Sequence, residues 1–329
     1  MATSFPAGGA AVKKQKTMIA LVKEYLSYRR SFGHELKAAG YLLLQFARFA
    51  DHARHHGPLT TDLMLQWVSQ RNDYSARYRA ERLAAVRNFA RYLAAQDGQS
   101  KIPDQRLLGY IQRRRQPHIY TEEQLHDLLI GIARLNPTYP LRPHTYTALF
   151  GLMASTGLRI SEALALQRRD VDLDASILYI RQSKFHKSRL VPMHPTVTRA
   201  LRRYAKRRDE ARDTRSGTTF FVGRDGCSLS HATVRITFRR LCTSLGLRSN
   251  GVLPRPRIHD LRHSFACRRL LQWYRDGVDV AQAIASLSTY LGHARVTDTY
   301  WYLSGTAELL AIAGQRFEHF AHPERRPQL

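Results

Sequence analysis

Cysteine is scarce in this chain: Cys227, Cys242 and Cys267 are an odd number without CxxC spacing, which excludes a disulfide framework and a cysteine-based zinc site and leaves buried thiols as the expectation for each. Long apolar runs are missing too. None approaches the roughly 18 residues of a spanning helix, and Met1-Ala2-Thr3-Ser4-Phe5-Pro6 carries no apolar stretch after a basic start, so membrane insertion and secretion are not expected and the cytoplasm is. No GxxxxGK[ST] loop or HExxH occurs, and no DxD or carboxylate cluster accompanies the arginine and histidine motifs described below, which speaks against ATP-driven or metal-ion chemistry, and no cofactor is implied. No internal repeat of solenoid period is found. Acidic residues are outnumbered, 26 against 52 Lys+Arg, giving a formal charge of +26 over 329 residues of which 43% are hydrophobic. A folded chain so basic attracts polyanions by releasing their counterions, and on charge alone DNA, RNA and an anionic membrane surface all qualify.

The length suggests two domains plus an arm. Residues 1–15 are small and basic (Lys13, Lys14) and read as a flexible arm. Residues 16–98 read as helical throughout. Met18, Leu21, Val22, Tyr25 and Leu26 recur at helical spacing, as do Leu42, Phe46, Phe49 and Ala53. Gly57-Pro58 stops the second helix, Thr61 or Asp62 caps a third through Trp67 and Val68, and Ser75 opens a fourth whose stripe is Leu83, Val86, Ala90 and Leu93. The fourth helix also carries Arg77, Arg79, Arg82, Arg87 and Arg91, a face for phosphate or simply a solvated one. His52, His55 and His56 share the spacing of metal ligands, but without a nearby Cys or carboxylate pattern they read as a polar helix end.

Residues 99–117 lose periodicity, with Pro103 and Pro117 around Arg113, Arg114 and Arg115, and read as an extended basic linker that lets two domains encircle a duplex. Residues 118–329 form the second domain, opened by a capping box at Thr121-Glu122-Glu123-Gln124. Ile177–Ile180 and Arg189–Met193 read as two strands around a turn near Phe185-His186-Lys187, Thr218–Val222 as a third, and everything after Ser230 as helical.

Attack on a phosphodiester builds negative charge on phosphorus, and arginine suits that charge because its planar fork donates two parallel hydrogen bonds and stays protonated. Arg159 follows the Thr156-Gly157 break at a helix start, and Arg262 lies three residues after His259 in Arg257-Ile258-His259-Asp260-Leu261-Arg262-His263. His259 therefore shares a helical side with Arg262 and can hold a proton or donate to a phosphate oxygen. Leu291-Gly292-His293 and then Thr299-Tyr300-Trp301-Tyr302 supply a further imidazole and two phenols. A phenol able to attack and stay esterified conserves the energy of the broken bond.

These segments, TGLRISE, HDLRHSFA and LGHA followed by Tyr302, resemble the tyrosine recombinase (phage integrase) family across about residues 118–320. The resemblance implies a mostly α fold with a small β-sheet: an N-terminal four-helix SAM-like core-binding domain and a mixed α/β catalytic domain. It implies Arg159 and Arg262 as clamps on the scissile phosphate, His259 and His293 as their partners, and Tyr302 as nucleophile, with Tyr300 two residues away as its rival. His263 carries no catalytic role in the family pattern. Ser183-Lys184-Phe185-His186-Lys187-Ser188-Arg189-Leu190-Val191-Pro192 resembles the family's hairpin, placing Lys184 as general acid with Lys187 as alternative, although Ser183 stands where glycine is usual. Glu162 matches a supporting acidic position, and as a first-turn glutamate it also suits the helix dipole.

The activity implied is site-specific recombination or integration through a 3′-phosphotyrosyl intermediate, as for enzymes of mobile elements. The alternatives are a type IB topoisomerase-like reaction and a DNA-binding protein that keeps only the fold. Expected partners are double-stranded DNA, further copies of the chain (a dimer on a site, a tetramer in the synapse) and accessory or directionality proteins. Two features depart from the compact pattern: a long interval between Arg262 and His293, and a final stripe of Leu309, Leu310, Ile312, Ala313 and Phe317 that packs either on a neighbouring copy or internally.

Overall fold

The computed structural model describes residues 16–109, 116–135, 138–181, 188–211, 217–247, 255–304, 306, 308–312 and 314–315. Its chain forms two compact units, Met1–Arg114 and Arg115–Leu329.

The first unit is built on α1 (Met18–Ser31), α2 (Lys37–His52), α3 (Thr61–Val68) and α4 (Ala76–Asp97). Each start has a local cause. The Thr17 hydroxyl accepts from Ala20 N at 3.2 Å, and Asp51 of α2 accepts from Met18 N at 2.7 Å and Ile19 N at 3.1 Å, satisfying donors that a helix start leaves open. Ser75 caps α4 through Tyr78 N at 3.2 Å, whereas α3 is capped by Thr60, one residue before the expected Thr61, through Leu63 N. Such caps contribute ~1 kcal/mol each. The core gathers Val22, Phe46, Ala47, Met64, Trp67, Val86, Phe89 and Ala90. Along α2 the buried line runs Leu43, Phe46, Ala47 and Ala50, rotated from the expected Leu42, Phe46, Phe49 and Ala53, because the face is chosen by the helices it packs on.

Arg82 is not part of a basic surface. It is 1% exposed, its Cζ lies 3.7 Å from the Trp67 ring centroid and 4.7 Å from that of Tyr74, and Nη2 donates to Trp67 O. Cation–π attraction replaces the water this guanidinium gave up. The segment 99–109, expected within the linker, folds onto this unit: Lys101 N donates to Leu59 O at 2.8 Å, Arg87 Nε to Pro103 O at 2.8 Å, and Leu108 packs on the core.

The second unit opens with α5 (Glu122–Ala133), where Thr121 and Gln124 form the expected capping box. It continues through α6 (Arg142–Thr156) and α7 (Ile160–Ala165) to an antiparallel sheet of β1 (Val171–Asp172), β2 (Ile177–Ile180) and β3 (Arg189–Pro192). The register Val171↔Leu178↔Val191 turns Leu178, Ile180 and Val191 inward and leaves Tyr179 and Leu190 outside. Residues 218–222 do not add to this sheet as expected. Arg168 N donates to Thr218 O and Phe220 N to Leu166 O, each at 2.8 Å, so the segment pairs with the chain ahead of β1.

Helices α8 (Pro195–Glu210), α9 (His231–Ser244), α10 (Asp260–Arg275), α11 (Val280–Leu291) and α12 (Thr297–Tyr300) follow, then a 3-10 turn over Trp301–Ser304. One core joins Leu149, Phe150, Leu178, Val191, Phe238 and Leu261; a second joins Phe265, Ala266, Cys267, Leu270, Leu287, Leu291, Tyr302 and Leu309. Fully burying each large apolar side chain is worth ~1.5–3 kcal/mol. The long interval after Arg262 is the body of α10, the turn at Gly277 and α11. Of the final stripe, Leu309 is buried within the unit, Ile312 packs beside it and Leu310 is 54% exposed; Ala313 and Phe317 lie outside the described residues. Cys242 and Cys267 are buried, but Cys227 is exposed, in a tight turn where its N–H donates to Asp225.

Candidate active site

Two glycines bring the distant motifs together. Gly157 ends α6 at φ +65°, and a Cβ there would meet Phe265 Cδ1 at 2.6 Å. Gly292 ends α11 at φ +69°, and its Cβ would meet Arg189 Nη1 at 2.7 Å. Both need the left-handed backbone that glycine adopts without penalty and the absence of a side chain.

The carbonyls at these helix ends carry partial negative charge and are held by arginine. Arg262, on the first turn of α10, donates from Nη1 to Gly157 O at 2.8 Å and from Nη2 to Leu291 O at 2.7 Å. It is 1% exposed; burial lowers its pKa to about 10, opposed by the Tyr302 phenol, so it is charged at neutral pH. Arg159, the residue before α7, donates from Nη2 to Gly292 O at 2.9 Å and from Nη1 to Glu162 Oε1 at 2.7 Å. Glu162 serves both functions open from the sequence. Its Oε2 accepts from Arg159 N at 3.0 Å, closing the α7 start, while the same carboxylate binds guanidinium. Burial pushes its pKa up, but Arg189 first and then Arg159 outweigh that and hold it at about 2.

His293 Nδ1 lies 2.7 Å from Thr299 Oγ1. Burial, then Arg262 and Arg159, push its pKa down to about 4. The Tyr302 ring lies 5.9 Å from His293, nearly parallel to it, and 5.4 Å from His263, and Tyr302 is 2% exposed. Burial raises its pKa, and the charge and hydrogen bonding of Arg262 oppose the rise. Tyr300 is 48% exposed and points to no such cluster among the described ring contacts. His259, at the start of α10, has its ring 4.7 Å from that of His263. It retains solvent exposure, and desolvation with the charge of Arg262 lowers its pKa.

Arg159, Glu162, Arg262, His293 and Tyr302 thus meet in one cluster, with His259 on its His263 side. Lys184 and its rival Lys187 lie outside the described residues, as do Arg113, Arg114 and Arg115. Of the other basic candidates, Arg77 pairs with Glu81 at 3.0 Å on an exposed face, Arg87 is anchored to Pro103, and Arg91 Nη1 donates to Asn88 Oδ1 at 3.1 Å. Arg87 and Arg91 line a cavity of about 660 Å³ with Arg106, Asn88 and Gln105. His55 Nε2 lies 3.1 Å from Pro58 O, tying down the polar helix end.

Three residues that sequence reasoning left out of the site belong to its surroundings. Arg189, read only as part of a strand, reaches Glu162 and α11. Thr299 buttresses His293. His263 packs between His259, Trp301 and Tyr302 with a buried Nδ1 that has no hydrogen-bond partner among the described residues. The R-x-V-P spacing was a signal for Arg189, but its partners are 27 and 101 residues away.

The model of the phage integrase family matches residues 121–308, which contain the whole cluster. A protein of Sinorhizobium fredii named as integrase/recombinase y4rB is 40% identical over 301 residues, covering 90% of this chain and 96% of its own. The tyrosine recombinase XerC of Chlamydia caviae is 28% identical over 221 residues, 67% of this chain and 65% of its own. Among solved structures, the Tn1549 transposon integrase in complex with transposon right end DNA has the same fold, with a TM-score of 0.64, 17% identity and coverage of 93% of this chain and 100% of that one. A catalytic unit of this fold, matched over more than half its chain by the family model, places the protein in the phage integrase family, the tyrosine recombinases.

Proposed function

We propose that this recombinase cleaves and rejoins DNA at specific sites through Tyr302. Arg159 and Arg262 bind the non-bridging oxygens of the scissile phosphate, His293 donates to the same group, and His259 holds the proton released by the phenol. The Tyr302 oxygen attacks phosphorus, a 3′-phosphotyrosyl ester forms, and the bond to the 5′ oxygen breaks. Lys184 delivers the proton that makes the free 5′-hydroxyl. Attack by a 5′-hydroxyl from the partner strand reverses the sequence and frees Tyr302, so the exchange needs no high-energy cofactor.

The observation that carries this reading is the convergence on one another of side chains from positions 159, 262, 293 and 302, with the two guanidiniums anchored to the ends of α6 and α11. Tyr302 and Arg262 are covered in this structure, so attack on a duplex requires the Trp301–Ser304 turn to open. A short 3-10 segment has poorer hydrogen-bond geometry than an α-helix and suits such a movement. Around the reaction, the first unit contacts backbone phosphates through Arg77, Arg87 and Arg91, and Arg113, Arg114 and Arg115 follow the duplex. The chain acts in the cytoplasm as a dimer on each site and a tetramer in the synapse, with accessory proteins setting direction.

A suicide DNA substrate whose cleaved end diffuses away tests the proposal. The expected result is a denaturant-resistant protein–DNA adduct that forms in EDTA, is abolished by Tyr302→Phe and persists in Tyr300→Phe. DNA binding without any adduct would instead indicate a protein that keeps only the fold. Adducts that religate the same strand but never pair two sites would indicate a topoisomerase-like reaction.

A further inference from the structure

We infer that Arg189 is a positioning residue of the same active site, one that preserves the positive charge of Arg159 by occupying Glu162. This rests on the reading of Arg159 as a phosphate clamp. The Arg189 side chain is 10% exposed at the start of β3. Its Nη1 donates to Glu162 Oε1 at 3.1 Å and its Nη2 to Glu162 Oε2 at 2.9 Å, a two-point grip, while Nε donates to Tyr290 O at 2.8 Å. Together with the Nη1 and backbone N–H of Arg159, these bonds give the carboxylate four donors, about all that its lone pairs accept.

The charge balance gives this arrangement a function. Glu162 and Arg159 alone would form a neutral, partly buried pair, and a neutral pair is a poor clamp for a phosphate gaining charge. With Arg189 present, the three groups sum to one positive charge, and the exposed member is Arg159, whose side chain is 20% exposed against 10% for Arg189 and 4% for Glu162. The positive charge therefore faces the opening of the site while the carboxylate is satisfied from behind. Arg189 also lies under Gly292, whose carbonyl accepts from Arg159, so the same side chain sets the distance between β3 and the LGH turn. Bidentate geometry is the reason for arginine here, since lysine offers a point charge and cannot grip both oxygens.

The test measures adduct formation on the suicide substrate and, separately, affinity for the uncleaved site. Arg189→Gln is expected to cleave ~10–100-fold more slowly, the range for loss of a residue that orients a catalytic group. Its affinity should stay within about threefold, because many phosphate contacts share the binding. Adding Glu162→Gln to Arg189→Gln removes the uncompensated carboxylate, so the double variant should cleave faster than Arg189→Gln alone. A purely structural role predicts the reverse, a double variant as slow or slower. Should Arg189→Gln melt below the assay temperature, Arg189→Lys replaces it with the same sign: a smaller loss that disappears in the Glu162→Gln background. Wild-type cleavage by the Arg189 variants, or no recovery on removing Glu162, overturns the inference. Absence of any adduct from the unmodified chain overturns the recombinase assignment of Tyr302 instead.

Discussion

The Nδ1 of His293 lies 2.7 Å from the hydroxyl of Thr299, a residue with no exposed surface. With its pKa pushed down to about 4, the ring is uncharged near neutrality and carries one proton. A hydroxyl donating into Nδ1 leaves that proton on Nε2, the nitrogen available to a phosphate oxygen. Thr299→Val should therefore slow adduct formation by ~10-fold or more, while Thr299→Ser retains most activity. Equal rates for the two variants would show that the hydroxyl does not set the tautomer.

Acid should destabilise the second unit in two stages. His263 and His293 have folded pKa values lowered to about 3 and about 4 from 6.5, by burial first and then neighbouring charges: His259, Arg257, Arg262 and His293 around His263, Arg262 and Arg159 around His293. Groups depressed in this way bind more protons unfolded than folded, so their contribution is present above about pH 6.5 and is lost as pH falls through about 4 for His293 and about 3 for His263. Glu162, held at about 2 against 4.5, adds a second loss between those values. Thermal melts from pH 8 to 3 should show melting temperature falling from near pH 6.5. His263→Phe keeps a ring against Trp301 and Tyr302 but cannot titrate, and should flatten the first stage. An unchanged profile would assign that loss to other groups.

Gly292→Ala should impair both stability and cleavage, because it combines φ +69° with a Cβ 2.7 Å from a guanidinium held by three hydrogen bonds. Gly246→Ala is the control: φ is +71° but nothing among the described residues lies within 4 Å, so it should cost only the ~1–2 kcal/mol of a left-handed non-glycine residue and leave cleavage unchanged. Denaturant titration and the adduct assay together separate backbone strain from displacement of Arg189. Matching losses in the two variants would count against the close approach.

Salt dependence should identify the phosphate contacts of the first unit. Arg91 bonds only its helix neighbour Asn88 among the described contacts, so Arg91→Ala should reduce the slope of log affinity against log salt by ~1 without altering stability. Arg87→Ala should also lower the melting temperature, because its Nε anchors Pro103. Arg77, paired with Glu81, should change the slope least. Identical slopes for all three would remove this face from the DNA interface.

Features that depend on neighbours along the chain were legible before any coordinates. The Thr121–Gln124 capping box, the Ser75 cap and the buried line Leu83, Val86, Ala90 and Leu93 rest on bonds and periodicities spanning a few residues, and the motif words around Arg159, Arg262 and His293 are local as well. Where neighbouring residues compete for one role, local pattern chose less well: Thr60 rather than Thr61 caps α3, and the inner face of α2 is rotated. Cys227 is in a turn that leaves it exposed, against the general habit of thiols.

Tertiary structure decided what depends on partners distant in sequence. Residues 218–220 pair with 166–168 rather than with the hairpin, and Val222 bridges to Ser228, because strand pairing is made with whatever segment the fold brings alongside. Arg82 and Arg87 are the same residue type on one helix, yet one enters an aromatic cage and the other ties down Pro103. Composition and motifs alone determined that this is a basic, two-unit chain carrying the arginines, imidazoles and phenol of a strand-transfer enzyme. Only the fold could show that Glu162 is shared by two arginines and that Tyr302 rather than Tyr300 stacks on His293, since hydrogen bonds and ring contacts are set by distance in space, over which sequence separation has no control.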